Sequence, residues 1–207
     1  MSADEKSVAA VIDAIDRVNA EDPVSETDPA GGERVPRALL YGRRMTDRLQ
    51  RLAPQANPLV RIAVRAQHIR RWSMPRSDYP QGRQGYHRWR RDLARYHAEL
   101  TGELMAEEGF SEADIEHVGK LLRKEGLKTD ADTQLLEDVA ALVFLEHYMA
   151  DFVAEHGHKY SDEKLLDIVR RTWRKMSDRG REAALKLDLP GEVAPVVKRA
   201  VEGAEDD

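Results

Sequence analysis

The sequence predicts an all-α protein, a compact bundle of roughly seven to nine helices. Three observations carry that expectation. Apolar residues recur at spacings of three and four along most of the chain, the repeat of one helix face. Start and stop signals punctuate the chain: Asn57 before Pro58, Ser111 three residues before Asp114, Ser161 and Ser177 before later periodic runs, Gly109 and Gly126 after earlier ones. No run of β-branched residues alternates with polar ones, as a half-buried strand requires.

Taken in order, residues 1–6 and 201–207 are polar and are expected to fray. A first helix fits Val8 to Ala20. The stretch EDPVSETDPAGGERVP reads as a loop, because it holds three prolines, two adjacent glycines and several acids. A helix follows from about Arg37 to Leu52. The next opens with Asn57 as N-cap and Pro58 in the first turn, and runs towards Trp72. SMPRSDYPQGRQG is a second loop, and a long helix from about Tyr86 to Glu108 stops at Gly109. Ser111 and Asp114 resemble a capping box that opens a helix to Glu125, closed by Gly126. The longest apolar helix spans about Asp132 to Glu155. Ser161 caps one to about Met176, Ser177 one to Leu187, and Pro190-Gly191 precede a short last helix. No internal repeat and no clean boundary appears, so residues 1–207 are expected to form a single domain.

Composition bounds the rest. Of the 207 residues, 41% are hydrophobic and 34% charged, the balance of a folded globule. With no cysteine, the chain has no disulfide, thiolate metal site or cysteine nucleophile. No window approaches the roughly 18 consecutive apolar residues of a membrane span. MSADEKSVAA lacks the basic-then-apolar pattern of a secretory signal, so a cytoplasmic protein is expected. The net charge of −5 weighs against general nucleic-acid binding. That average hides an asymmetry: Arg61 to Arg95 holds ten arginines, no lysine and two acids, Asp78 and Asp92. Arginine alone suits planar, bidentate anion contacts. The alternative is a solvated basic face matched by acidic helices downstream.

Three polar residues fall where helical spacing expects apolar ones. Asp138 lies within the stripe Leu135, Leu142, Leu145, Met149 and Phe152, as a buried salt-bridge partner or a metal ligand. His97 lies four residues after Leu93 on the face of Leu100 and Leu104. Glu125 follows Leu121 and Leu122 on the side of Val118. His68 differs, since an ideal helix puts it on the basic face with Arg61 and Arg65. His156 and His158 flank Gly157 and read as loop residues.

At these residues the chain resembles known families. RIAVRAQHIRRW is similar to the helix of HD-superfamily metal phosphohydrolases that ends in the His-Asp doublet. YHAELTGELMAEEGFSEADIEHVGKLLRKE resembles the two helices after it, and LLEDVAALVFL the helix bearing the last metal-binding aspartate. More closely, RAQHIRRWSMPRSDYP, YHRWRRDLARYHAEL, LLRKEGLKTD, LLEDVAALVFLEHY and WRKMSDRG resemble the family called domain of unknown function 4202. Carried over, the superfamily's first histidine falls near Tyr41-Gly42, its doublet becomes Gln67-His68, and its later histidine becomes Lys124-Glu125. His97 and Asp138 match a histidine and the closing aspartate.

The resemblance implies an HD-like fold and a divalent transition metal (Mn, Fe or Zn) on His68, His97, Glu125 and Asp138. Arg70, Arg71, Arg123 and Lys128 would take a phosphate. The function so implied is hydrolysis of a phosphorylated small molecule or nucleotide, no general acid or base being assigned. An iron oxygenase on the same fold is a second enzyme reading. The rival is a non-catalytic RNA or nucleotide binder, in which Trp72, Tyr79, Tyr86 and Trp89 stack on bases among the arginines.

Overall fold

A computed structural model describes residues 5–29, 31–156, 162–189, 191 and 193–202. Among them, α-helices hold most of the chain and strands only two short segments, so the all-α class is the one observed. Backbone contacts divide the chain into two units, Met1–Gly126 and Leu127–Asp207. The junction, Gly126-Leu127, lies where the composition showed no linker.

The first unit contains α1 (Glu5–Asn19), β1 (Ser25–Thr27), β2 (Arg34–Pro36), α2 (Arg37–Leu52), α3 (Pro58–Ala66), α4 (Gly82–Glu107) and α5 (Glu112–Arg123). Glu5 and Lys6, expected to fray, are helical, and Glu5 accepts from Arg61 at 2.8 Å. α3 is the central helix. All of it except Pro58 and Arg61 is buried, as a helix packed against α1, α2 and α5 must be. Val60, Ile62, Val64 and the following Ile69 are fully buried. Each such side chain contributes about 1.5–3 kcal/mol when removed from water. Arg65 sits among them and is satisfied by three partners. It donates to Asp16 of α1 at 2.6 Å, to Thr46 of α2 at 3.0 Å and to the Gly42 carbonyl at 3.4 Å.

The first expected loop contains structure. β1 and β2 pair antiparallel with Glu26 opposite Val35. Strands of three residues are too short to display a period of two, which is why the alternation test missed them. Asp22 anchors this hairpin, accepting from Val24 N at 2.9 Å and from Ala38 N at 3.0 Å. The second bond caps α2, whose N-cap position holds Pro36 and offers no side-chain acceptor.

α4 begins at Gly82, earlier than expected, and α5 returns alongside it. Between them Gly109 is left-handed, with φ 77°, and Phe110 N bonds back to Met105 O at 3.1 Å. Ser111 then accepts from Asp114 N at 3.2 Å, the cap the sequence foretells. The buried face of α4 is Gly85, Trp89, Leu93, His97, Thr101 and Met105, a repeat of four, with Ala98 buried beside it. Leu100 and Leu104, expected inward, are half-buried beside it.

The second unit contains α6 (Ala131–Val143), α7 (Met149–His156), α8 (Asp162–Lys175), α9 (Asp178–Ala184) and α10 (Ala194–Glu202). A π-helical turn over Phe144–Tyr148 joins α6 to α7, so the expected single helix is underwound at one point. The unit's core comes from Leu136, Val139, Leu142, Leu145 and Met149 with Val169, Trp173 and Val197. Ser161, His158, Gly157 and Pro190 lie outside the described residues, as does the side chain of His156. No described helix is long and apolar enough to cross a membrane.

Candidate functional site

The first unit holds a cavity of about 780 Å³ between the end of α3, one face of α4 and the C-terminal end of α5. That size falls in the roughly 300–1,000 Å³ range of small-molecule sites. Three local features build its wall. α3 stops at Ala66, and the chain turns through Gln67 and His68 to Arg70, which is left-handed at φ 48°. The Arg70 N–H donates to buried Asn19 of α1 at 3.1 Å, which fixes the turn and delivers Arg71 to the cavity. α4 presents Gln84, His87, Arg91, Ala94 and His97 at helical spacing, with Arg88 and Arg90 flanking them. α5 ends with Arg123 and with Lys124, whose backbone is also left-handed, at φ 59°. Left-handed backbone at a non-glycine costs on the order of 1–2 kcal/mol, and among the described residues one such residue, Lys124, lines this cavity while another, Arg70, immediately precedes Arg71 of its wall.

The electrostatics are one-sided. Arg71, Arg88, Arg90, Arg91, Arg123 and Lys124 line the cavity, and among the described residues no carboxylate does. Arg123 is held by Glu125 at 2.7 Å and Glu116 at 3.0 Å, and Arg88 lies 3.8 Å from Asp92. Among the described residues, no acid pairs with Arg71, Arg90 or Arg91. Arg71 instead lies over the Trp89 ring, 4.8 Å from its centroid. Burial and the neighbouring Arg90 bring its pKa down to about 10. The histidines register the same positive field. Burial, then Arg71 and Arg90, lower His97 to about 3. His68 is pushed well below its ordinary value by burial and by Arg71. Both rings are therefore neutral at physiological pH.

His68 stacks on Tyr41, with ring centroids 3.9 Å apart, and its ring lies 6.3 Å from that of His97. The helix wheel puts His68 on the outer basic face; α3 ends two residues earlier, and the turn carries His68 inward. His97 is 4% exposed, buried as its spacing implies.

The remaining expected ligands are placed differently. Glu125 has a half-exposed side chain turned to Arg123, because the left-handed Lys124 breaks the helix before it. It is not among the residues lining the cavity. Asp138 belongs to the second unit, where it is 3% exposed. Its carboxylate accepts from Ser177 N at 2.8 Å, from the Ser177 hydroxyl and from Gln134 Nε2 at 3.0 Å. Ser177 in turn accepts from Gly180 N, so Asp138 braces the N-terminus of α9. The alternative reading of Asp138, a salt bridge to arginine, is replaced by this cap.

Of the expected phosphate ligands, Arg71 and Arg123 line the cavity. Arg70 is exposed and serves the turn through its backbone. Lys128 lies in the second unit, where its ammonium donates to the Arg174 carbonyl. The residues missed were Gln67, Gln84, His87, Arg88, Arg90, Arg91 and Lys124. Arg90 stands seven residues before His97 and His87 ten, so the buried histidine itself marked the stripe.

A divalent metal does not fit this donor set. Such ions need anionic or several closely gathered imidazole ligands, and here His68, His87 and His97 share the wall with six cationic side chains and, among the described residues, no carboxylate. Among the described residues, no three His, Asp or Glu side chains gather as a metal site. The arrangement suits a bound anion.

No curated protein and no solved structure matches this chain. A family model does, over residues 9–197, which include nearly all of both units. The chain belongs to the family defined by a domain of unknown function, DUF4202.

Proposed function

We propose that this protein binds a phosphorylated small molecule or nucleotide in the cavity of its first unit. The observation that carries the reading is the trio Arg71, Arg90 and Arg91, which line the cavity with no carboxylate to neutralise them. Unpaired guanidiniums, of which those of Arg71 and Arg90 are half-buried, raise one another's energy, and a bound phosphate supplies the missing charge. Kinship with HD-type phosphohydrolases rests on the sequence segments quoted above. Under that kinship, the cavity keeps a histidine at His97, has Gln67-His68 in place of the doublet, and has the cation Lys124 beside Glu125 where the later histidine would stand. Metal-assisted hydrolysis and iron-dependent oxygenation would need anionic ligands, and no step is assigned to them.

The RNA reading is less favoured. Sequence-tolerant strand binding needs several open rings, whereas Trp89 is buried with its Nε1 donating to Met74 O at 2.9 Å. Tyr86, 45% exposed, is the most open aromatic ring among the described residues.

Isothermal titration with inorganic pyrophosphate, adenosine monophosphate and a single-stranded RNA oligonucleotide tests the proposal. Pyrophosphate and the nucleotide are expected to bind, with affinity falling as salt rises. Arg71→Ala and Arg90→Ala should each weaken binding by tens of fold, the effect of one charge-assisted hydrogen bond. Absence of binding, or equal binding by both variants, would overturn the reading. Tight RNA binding with no response to the small anions would favour the rival.

A further inference from the structure

We infer that the cavity holds two adjoining anion positions, an inner one at Arg71 and Arg90 and an outer one at Arg91, and that its ligand carries a diphosphate group. This rests on the anion-binding reading and asks how many phosphates the ligand brings.

The cationic wall is graded from one end to the other. At the inner end Arg71 and Arg90 are half-buried, and Arg71 is held over the Trp89 ring, 4.8 Å from its centroid. At the outer end Gln84, His87, Arg88 and Arg91 are exposed. Helix geometry keeps the two ends apart. Consecutive residues of a helix point about 100° apart around its axis and do not face each other. Arg90 and Arg91 therefore enter the cavity from different directions. Arg90 shares its side of α4 with buried His97, seven residues on. Arg91 shares its side with His87 and Arg88, four and three residues back. Ala94 stands between them, four residues after Arg90 and three after Arg91, and its methyl group leaves open the space a longer side chain would fill.

The charges ask for the same ligand. Among the described residues, the guanidiniums of Arg71, Arg90 and Arg91 have no acid to pair with. A phosphate monoester brings a charge of about −1.5 to −2 at neutral pH, less than these three supply. Each guanidinium is a planar fork suited to bidentate contact with one phosphate. A single phosphate seated against Arg71 and Arg90 leaves Arg91 without an anion. A second phosphate linked to the first reaches it and adds the missing charge. Arg88, 3.8 Å from Asp92 and so already partly neutralised, flanks the outer position. The cavity, at about 780 Å³, is of a size that takes whole small molecules rather than one ion.

Inorganic phosphate and pyrophosphate are the probes, differing by one phosphoryl group. Titration calorimetry on the full chain should show pyrophosphate binding at least about tenfold more tightly, the gain expected of one further charge-assisted hydrogen bond. Arg91→Gln should shrink that ratio towards one while phosphate binding stays within about threefold. Arg90→Gln should weaken both probes by tens of fold. Arg95→Gln removes the same charge from an exposed site of α4 outside the cavity and should leave the ratio unchanged. Equal wild-type affinity for the two probes overturns the inference and leaves anion binding intact. Equal losses from Arg91→Gln and Arg95→Gln also overturn it, since a diffuse field would then account for the preference. Failure of both phosphate and pyrophosphate to bind overturns the anion reading itself.

Discussion

Replacing Asp138 with asparagine keeps the side chain's shape and removes its charge. In the second unit this carboxylate accepts three hydrogen bonds: the Ser177 N–H at 2.8 Å, the Ser177 hydroxyl and the Gln134 amide at 3.0 Å. Asparagine can keep the two on one oxygen, but its amide meets the Ser177 hydroxyl with hydrogens. That hydroxyl already accepts from Gly180 N at 3.1 Å, and its own proton loses its acceptor. A hydrogen bond to a charged group is worth about 1.5–3 kcal/mol. The charge at the N-terminus of α9 adds about 0.3–1 kcal/mol. The expected loss is roughly 2–4 kcal/mol, or about 5–15 °C in melting temperature for a chain of this length. Urea and thermal unfolding, followed by the helical circular dichroism signal, should show it equally with chelator and with excess Mn²⁺. Gly180→Ala approaches the same contact from the other side. Alanine is favoured over glycine inside a helix by about 0.5–1 kcal/mol. Here its Cβ would stand 2.6 Å from the Asp138 carboxyl carbon, so the variant should be less stable than wild type. A loss under about 0.5 kcal/mol for Asp138→Asn, or stabilisation of wild type alone by Mn²⁺, would refute the capping role.

Three further outcomes follow from the first unit. Acid should weaken it through His97: the unfolded chain takes a proton near pH 6.5, the folded ring only near pH 3. Stability is therefore full above pH 6.5 and falls below it, by roughly 2 kcal/mol at pH 5, a fall that His97→Gln should flatten in denaturant titrations. Gly85→Ala should cost about 3 kcal/mol or more and open residues 73–84 to limited proteolysis. Its Cβ would lie 1.8 Å from the Pro80 carbonyl oxygen, backbone that a rotamer change cannot move. Asp16→Asn should cost about 2–3 kcal/mol by urea unfolding, since it strands the buried Arg65 with only Thr46 and Gly42; an unchanged midpoint would show that pair to be idle.

Helices were legible wherever their signals are local. Asn57 accepts from Leu59 N, Ser111 from Asp114 N and Ser177 from Gly180 N, each within three residues of the cap. Such contacts are written in adjacent letters, and so is the spacing that marked His97 and Asp138 as buried. The basic character of residues 61–95 was equally plain, and five of the six cations on the cavity wall belong to Arg71, Arg88, Arg90 and Arg91 of that stretch and to Arg123, a residue singled out for phosphate.

What the sequence by itself determined, then, is the helical class, most of the helix starts and which polar residues leave solvent. Tertiary structure decided whom those residues meet. Nothing in AQHIRR announces that α3 stops at Ala66; the turn is held by Asn19, 51 residues upstream of Arg70, and it carries His68 from the outer face to the cavity. Glu125 continues the inward face only while the helix continues, and one left-handed residue, Lys124, sends it to Arg123 instead. Asp138 finds Ser177, 39 residues later. A helix encodes its hydrogen bonds four residues apart, whereas a buried polar side chain takes whatever partner the returning chain brings within about 3 Å, and that depends on every turn between them.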